Sequence, residues 1–215
     1  MNVEVMRNVF ARNDALAGET RALLRQHHVT SVNLIGGAGS GKTTLLEASL
    51  PKLTGAKRVA VLEGDIATTH DADRIAAVGV PAMQLLTDGG CHLGASQVHH
   101  AIRKLPLDRL DIVFIENVGN LVCPASFDLG EERTVAVLSV AEGDDKPAKY
   151  PLLFKRANAV VLTKLDLLPH VTFDIERCTR YIRQLNDAAP IFPVSARTDQ
   201  GIDEWVTWLT APAGQ

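Results

Sequence analysis

The chain has 215 residues, of which 46% are hydrophobic and 22% are charged, with a formal net charge of −3 and a pI near 6.2. A chain of this length and composition is expected to bury a substantial core as an ordinary globular protein. The slight acidic excess argues against a general nucleic-acid binder, and no apolar stretch approaches the roughly 20 residues that a membrane span requires.

The first 28 residues have the apolar spacing of an amphipathic helix, with Leu16, Leu23 and Leu24 among the apolar positions. Residues 1–13 mix charged and apolar side chains and lack the apolar core of a signal peptide, so we expect a cytoplasmic protein. We therefore divide the chain into an N-terminal helix, 1–28, and a domain, 29–212, whose motifs indicate its function.

From residue 29 onward, short β-branched runs alternate with helical patterns. The runs are almost continuously hydrophobic, which is typical of strands buried on both faces of a parallel sheet. The predicted strands are 31–35, 58–63, 82–87, 111–116, 134–140, 158–163 and 191–194, and the predicted helices are 43–53, 71–78, 95–105, 147–155, 173–188 and 201–209. This order predicts a doubly wound, mostly parallel α/β sheet with helices on both faces and ligands at the carboxyl ends of the strands.

A phosphate-binding P-loop follows the first predicted strand, where residues 36–43 read Gly-Gly-Ala-Gly-Ser-Gly-Lys-Thr and lead into a helix. The glycines allow backbone N–H groups to surround the phosphates, and the helix N-terminus adds its positive end. Lys42 is expected to reach the β- and γ-phosphates, and the Thr43 hydroxyl to bind Mg²⁺. A glycine-rich turn that matches by chance is the alternative. The predicted nucleotide-binding residues of this motif are Gly36, Gly37, Ala38, Gly39, Ser40, Gly41, Lys42, Thr43 and Thr44.

Two acids at the ends of predicted strands are candidate Mg²⁺ ligands. Glu116 ends the run 111–116, where a P-loop protein places an acid beside the phosphates, and Gly119 would offer its N–H to the γ-phosphate and move when that phosphate leaves. Asp65 would bind Mg²⁺ directly or through water, and Thr68 is a switch candidate. Alternatively, Glu116 caps the next turn, and Asp65 and Asp71 cap the following helix. The predicted catalytic residues are Lys42, Thr43, Asp65, Glu116 and Gly119, and the Mg²⁺ ligands are Thr43, Asp65 and Glu116.

A base-reading element follows the predicted strand 158–163. Residues 163–166, Thr-Lys-Leu-Asp, resemble the Asn-Lys-x-Asp element of GTPases, with Thr163 in the place of the usual asparagine. The Asp166 carboxylate would accept hydrogen bonds from N1–H and N2–H₂ of guanine, which adenine cannot supply, and Lys164 would cover the base plane. Ser195 and Ala196 resemble the accompanying loop that meets guanine O6. A solvated turn is the alternative, but the two elements together favour guanine.

Two cysteines and a histidine lie past strand ends on the same side of the predicted sheet. Cys91 and His92 follow the run 82–87, and Cys123 follows the Glu116 loop. Two thiolates and an imidazole suit Zn²⁺ or Ni²⁺, although the adjacent Cys-His pair is poor metal-finger spacing, so a buried cysteine beside a surface histidine is the alternative. Cys178 is expected in the core, and the histidines at 99 and 100 on a solvated helix face.

Together these residues resemble the HypB family, the GTPases that assist nickel insertion into [NiFe]-hydrogenase. The similarity covers nearly the whole chain after Val29 and is most specific at 63–65, 91–93 and 116–131. The resemblance implies a GTP-dependent homodimer whose interface metal site is held by Cys91, His92 and Cys123. It also implies a HypA-type nickel chaperone and the hydrogenase large subunit as partners. Lys146 would reach across the dimer toward the other subunit's nucleotide, and a solvated charged loop is the alternative.

This resemblance suggests a mechanism. Loss of the γ-phosphate would move the loop after Glu116, which carries Cys123, so that the nucleotide state alters metal affinity and dimerisation together. No residue stands out as a water-positioning glutamine, so slow intrinsic hydrolysis of GTP to GDP and phosphate is expected. The N-terminus has no cysteine motif and only His27 and His28, so high-affinity nickel storage is not expected.

Two other functions remain open at the level of sequence. One is a related metallochaperone GTPase for urease or a cobalt enzyme, although the urease accessory protein UreG joins its ligands as Cys-Pro-His and this chain has Cys-Pro-Ala at 123–125. The other is a P-loop kinase that phosphorylates a small molecule, in which residues 163–166 would have no function. Phosphate release from GTP without an acceptor separates a GTPase from a kinase.

Overall fold

The computed structural model describes residues 3–66, 69–87 and 89–211, with side chains from residue 10 onward. Seven strands within these residues form one sheet. They are β1 Thr30–Gly36, β2 Val59–Asp65, β3 Ala82–Leu86, β4 Ile112–Glu116, β5 Arg133–Ser139, β6 Ala159–Thr163 and β7 Ile191–Pro193. The strand order is β3-β2-β4-β1-β5-β6-β7, and all of these pairings are parallel.

Helices cover both faces of the sheet, which confirms the predicted doubly wound α/β fold. They are α1 Val3–Gln26, α2 Lys42–Leu53, α3 His70–Ala77, α4 Ala95–Ile102, α5 Lys146–Lys149, α6 Pro151–Arg156, α7 Ile175–Leu185 and α8 Ile202–Thr210. Because β4 and β5 flank β1, the chain turns in opposite directions on the two sides of β1, and the loop after β1 lies at this switch point.

The alternation of side chains along each strand builds two cores. On one face, Val32 and Leu34 of β1 pack with α2 and α8, for example against Leu46 and Trp205. On the opposite face, α1 and α4 cover β2 and β4, and α6 and α7 cover β5 and β6. Both faces of the central strands are therefore apolar, as their continuous hydrophobicity predicted.

The predicted elements differ from the structure at the sheet edges and at one helix. The edge strands β3 and β7 are only partly buried, because each has a neighbouring strand on one side. The predicted helix 147–155 is two helices, α5 and α6. Pro151 disfavours helical backbone in the residue before it, and Tyr150 has φ −125° and ψ 58°. In the described part of the chain, no helix combines the length and apolarity needed to cross a membrane.

The N-terminal helix lies against the rest of the fold. Leu24 of α1 belongs to the same buried cluster as Val29 and α4. The division of the chain into 1–28 and 29–212 stays a prediction.

Candidate functional site

The phosphate-binding loop lies between β1 and α2, at the carboxyl end of the central strand. Gly39 and Gly41 have φ of 75° and 89°, a region that residues with a Cβ rarely adopt. A Cβ on Gly36 would collide with the carbonyl oxygen of Val137. The loop therefore depends on glycine for both its backbone shape and its close approach to β5.

Lys42 and Thr43, the first residues of α2, are buried and face Glu116 at the end of β4. The Thr43 hydroxyl donates a hydrogen bond to Oε1 of Glu116 at 2.8 Å, and Nζ of Lys42 lies 3.9 Å from the same oxygen. Oε2 of Glu116 has no hydrogen-bond partner among the described residues. These side chains line a cavity of about 320 Å³, which we call the phosphate cavity.

A second buried carboxyl, that of Glu63, faces Glu116 from the neighbouring strand. The two residues are in register in β2 and β4, and they are 1% and 4% exposed. Burial, together with the charge of Glu116, raises the pKa of Glu63 to about 10. Burial also raises the pKa of Glu116, but Lys42 and the Thr43 hydroxyl oppose that rise. A proton shared by the pair is therefore favoured on Glu63, and Glu116 is the more readily ionised carboxyl.

Further polar side chains line the phosphate cavity beside those that the motifs predicted. Asp65 lines it as expected, and Asp71 and Arg74 line it as well. Arg74 donates from Nη2 to the Thr44 hydroxyl at 3.0 Å and also pairs with Glu47. Neither Asp65 nor Asp71 caps α3, because the N-cap residue is Thr69. The switch candidate Thr68 lies outside the described residues.

The oxygen ligands around this cavity fit Mg²⁺. Thr43 supplies a hydroxyl, and Glu116 and Asp65 supply carboxylates, which are the hard ligands that this ion prefers. The partnerless, buried Oε2 of Glu116 is the kind of atom that a cation would satisfy.

The segment after β4, residues 117–123, connects the phosphate cavity to the second candidate site, and we call it the switch segment. A Cβ on Gly119 would lie 2.8 Å from Cα of Ala38, so the switch segment touches the phosphate loop directly. Four residues later the same segment ends at Cys123.

The base-reading residues line a separate cavity of about 120 Å³. Asp166 and Ala196 both contribute to it, and the buried Ser195 donates from Oγ to Oδ1 of Asp166 at 2.7 Å. Thr163, the residue that departs from the common GTPase element, donates from its hydroxyl to the carbonyl oxygen of Ser40 at 2.5 Å. Nζ of Lys164 donates to the carbonyl oxygen of Gly39 at 2.6 Å. The end of β6 therefore holds the phosphate loop as well as lining the base cavity.

Cys91, His92 and Cys123, which we call the Cys/His cluster, come together although Cys123 is 31 positions from His92. One ligand atom from each residue lies within 4.8 Å of the other two, and all three residues are partly buried. Burial lowers the pKa of His92, which favours the neutral imidazole that binds metals. A hydrogen bond with Cys91 raises the pKa of Cys123, so the two thiols are in contact. The donor set fits Zn²⁺ or Ni²⁺.

An aromatic stack backs this cluster and was not anticipated from the sequence. The ring of His92 stacks on Phe127 at 4.0 Å between centroids, and Phe127 stacks on Phe10 of α1 at 5.3 Å. Arg21 of α1 makes two hydrogen bonds to the carboxylate of Asp128, at 2.6 and 2.8 Å. Helix α1 therefore supports the loop that follows Cys123.

Of the remaining predictions for cysteine and histidine residues, those for Cys178 and His100 are confirmed and that for His99 is wrong. Cys178 is fully buried in the core, as expected, and burial raises its pKa to about 12. His100 is exposed. The solvated-face expectation is wrong for His99, whose side chain is 16% exposed and bonds Thr20 on α1 at 3.0 Å.

Most of the chain is similar to known proteins. Residues 30–193 match the family described as CobW/HypB/UreG, nucleotide-binding domain. The hydrogenase maturation factor HypB of Escherichia coli (strain K12) is 49% identical over 207 residues, which cover 96% of this chain and 71% of that protein.

Two solved structures have the same overall shape. HypB from Archaeoglobus fulgidus has a TM-score of 0.86 and 35% identity, with 93% of this chain and 97% of that chain covered. HypB from Helicobacter pylori, solved in complex with nickel, has a TM-score of 0.87 and 37% identity, with 92% of this chain and 93% of that chain covered.

Proposed function

The chain belongs to the CobW/HypB/UreG family and, within it, to the HypB hydrogenase maturation factors, and from this we propose that it is a metal-binding GTPase that delivers nickel for insertion into [NiFe]-hydrogenase. It hydrolyses GTP to GDP and phosphate, and the nucleotide state controls how the Cys/His cluster holds the metal.

The observation that carries this proposal is the continuity of the switch segment. Gly119 contacts the phosphate loop at Ala38, and Cys123 at the end of the same segment belongs to the Cys/His cluster. A movement at Gly119 on loss of the γ-phosphate therefore shifts a thiolate relative to Cys91 and His92. A change in ligand geometry changes metal affinity, so phosphate release is coupled to metal release.

The residues of the phosphate cavity have different roles in hydrolysis. The ammonium of Lys42 neutralises charge on the β- and γ-phosphates, and the backbone N–H groups of the phosphate loop bind their oxygens. Thr43, Asp65 and Glu116 would hold Mg²⁺, which supplies charge neutralisation at the phosphates. The pKa of Glu63 is raised further than that of Glu116, so Glu116 is the carboxyl of the pair that ionises first and faces the ion.

Intrinsic hydrolysis is slow in this proposal. Among the described residues that line the phosphate cavity, none is a glutamine that would orient the attacking water. Guanine is selected in the smaller cavity, where the Asp166 carboxylate, held by Ser195, faces the base.

The protein acts in the cytoplasm as a GTP-dependent homodimer, with the Cys/His cluster at the interface. Its partners are a HypA-type nickel chaperone and the hydrogenase large subunit. Lys146 lines a cavity together with Gly37 and Ala38 of the phosphate loop. From there it reaches the nucleotide of the second copy.

Titration of Ni²⁺ and Zn²⁺ into the purified protein tests this proposal, with apo, GDP-bound and GTP-analogue-bound samples compared and the mass of each followed by light scattering. We expect about one ion for each Cys/His cluster, an affinity that differs between the nucleotide states, and a dimer with the analogue. Phosphate release is measured with GTP and ATP in the absence of an acceptor. Identical metal affinities in all three samples would contradict the coupling between nucleotide state and metal binding. Equal phosphate release from ATP and GTP would contradict the guanine specificity.

A related GTPase for urease or a cobalt enzyme would use the same chemistry on another target. Nickel transfer to an apo hydrogenase large subunit and to apo-urease, measured side by side, distinguishes these targets.

A further inference from the structure

Asn117, the first residue of the switch segment, is buried to 1% exposure beside the phosphate cavity. Its Oδ1 accepts hydrogen bonds from the N–H groups of Val118 at 3.0 Å and Leu93 at 3.1 Å. Its Nδ2 donates to Oδ1 of Asn33 at 3.3 Å. One amide side chain is therefore bonded to its own segment, to β1 and to the loop that carries Cys91 and His92.

The bond to Leu93 reaches the residue directly after His92. The side chain of Leu93 is fully buried, and a Cβ on Gly64 would lie 2.8 Å from Cδ1 of Leu93. Gly64 itself lines the phosphate cavity. Leu93 is thus held by its side chain against the end of β2 and by its N–H on the switch segment.

The bond to Asn33 continues toward the other half of the Cys/His cluster. Nδ2 of Asn33 donates to Oε1 of Glu131 at 3.0 Å, and Oε2 of Glu131 accepts from the N–H of Leu129 at 2.9 Å. Leu129 belongs to the loop that follows Cys123. Both hydrogen-bonded paths start at Asn117. The path through Leu93 is a single direct bond to the loop that carries Cys91 and His92, whereas the path through Asn33 is indirect.

Resting on the function proposed above, we infer that Asn117 is a positioning residue that transmits the nucleotide state to the Cys91 and His92 half of the metal site through its hydrogen bond to the Leu93 N–H. A buried N–H that loses its acceptor is strongly disfavoured, so the Leu93 backbone follows Asn117 when the switch segment moves. A shift at Gly119 then displaces ligands on two loops and not only Cys123.

The test compares the Ni²⁺ dissociation constants of wild type and Asn117→Leu, each with GDP and with a non-hydrolysable GTP analogue. Leucine has a similar size but accepts no hydrogen bond. Asn186→Leu is the matched control. The Asn186 side chain likewise makes a partly buried amide hydrogen bond, from Nδ2 to the carbonyl oxygen of Ala157 at 2.8 Å, but Asn186 lies at the end of α7 and not in the switch segment. We expect the ratio of the two dissociation constants to be at least about fivefold in wild type and in the control, and near one in Asn117→Leu. Nucleotide affinity is measured in the same samples.

Each outcome has a separate meaning. A wild-type ratio retained in Asn117→Leu would overturn the role of Asn117 and leave the proposed function standing. A ratio of one in wild type would overturn both. Should Asn117→Leu fail to fold, amide hydrogen exchange of Leu93 in the wild type decides the matter. We expect strong protection that changes between the two nucleotide states, and equal protection in both would overturn the inference.

Discussion

Replacement of Asp166 by asparagine should change the purine that the base cavity accepts. The hydroxyl of Ser195 accepts a hydrogen bond from the Thr198 N–H at 3.3 Å, so its own proton is directed to Oδ1 of Asp166 at 2.7 Å. In the variant the amide oxygen would take the Oδ1 position, because only it accepts that proton. The amide NH₂ would then face the base, where it meets N1–H and N2–H₂ of guanine, and three donor groups would face one another.

The size of the effect follows from the lost bonds. A hydrogen bond to a charged group contributes about 1.5–3 kcal/mol, which corresponds to about a tenfold to hundredfold change in affinity. We expect GDP and GTP to bind Asp166→Asn more weakly by this factor, ATP to be almost unaffected, and the guanine preference to fall accordingly. Xanthine has a carbonyl oxygen in place of the N2 amino group, so xanthosine triphosphate should bind the variant better than the wild type.

Competition with a fluorescent nucleotide gives these affinities, and isothermal titration calorimetry checks them. Asp203→Asn is the control, because Asp203 pairs with Lys52 on the surface of α8. A variant Asp166→Asn that keeps the wild-type preference for GTP over ATP would refute the base-reading role of Asp166.

The remaining predictions concern the other groups of the two sites. Lys42→Ala should abolish productive nucleotide binding, because no other described lysine is buried in the phosphate cavity; a dissociation constant for GTP within a few-fold of wild type would contradict this. Ser195→Ala should weaken GDP binding by about fivefold to tenfold, since Asp166 loses a partner that fixes its direction, and unchanged GDP affinity in calorimetry would show that Asp166 needs no such support. Cys123→Ala should lower Ni²⁺ and Zn²⁺ affinity in a competition assay with a chromogenic chelator while nucleotide affinity stays near wild type; equal stoichiometry and affinity would argue that the cluster is not the metal site. Phe127→Leu removes the ring that stacks on His92 at 4.0 Å and should weaken metal binding about twofold to tenfold, whereas Phe127→Tyr should not, and equal losses in both would exclude stacking as the cause.

The parts of the fold and site that depend on local sequence were predictable. Continuous hydrophobic runs gave the strands of the sheet to within a few residues, and the glycine pattern at 36–43 gave the phosphate loop. Its position after a strand and before a helix was itself enough to place the cavity at the carboxyl edge of the sheet. Cys91 and Cys123 were grouped because both follow strands whose ends share that edge.

Contacts that depend on the detailed strand order and register were not predictable. Glu63 meets Glu116 only because β2 and β4 are neighbours with those residues in register. The bond from Asn117 to Leu93 likewise joins two loops whose separation the sequence does not give. His99 was placed in solvent because its helical pattern alone does not show that α1 covers that side of α4.

The two hydrogen bonds from Thr163 and Lys164 to carbonyl groups of the phosphate loop have a thermodynamic consequence. They order the backbone of that loop already during folding. Nucleotide binding therefore does not have to cover the entropy cost of ordering the loop, and the net affinity for the nucleotide is higher. A preorganised loop also changes little when the terminal phosphate departs. In the proposed mechanism the response to hydrolysis is therefore concentrated in the neighbouring segment after Glu116, where Val122 is exposed.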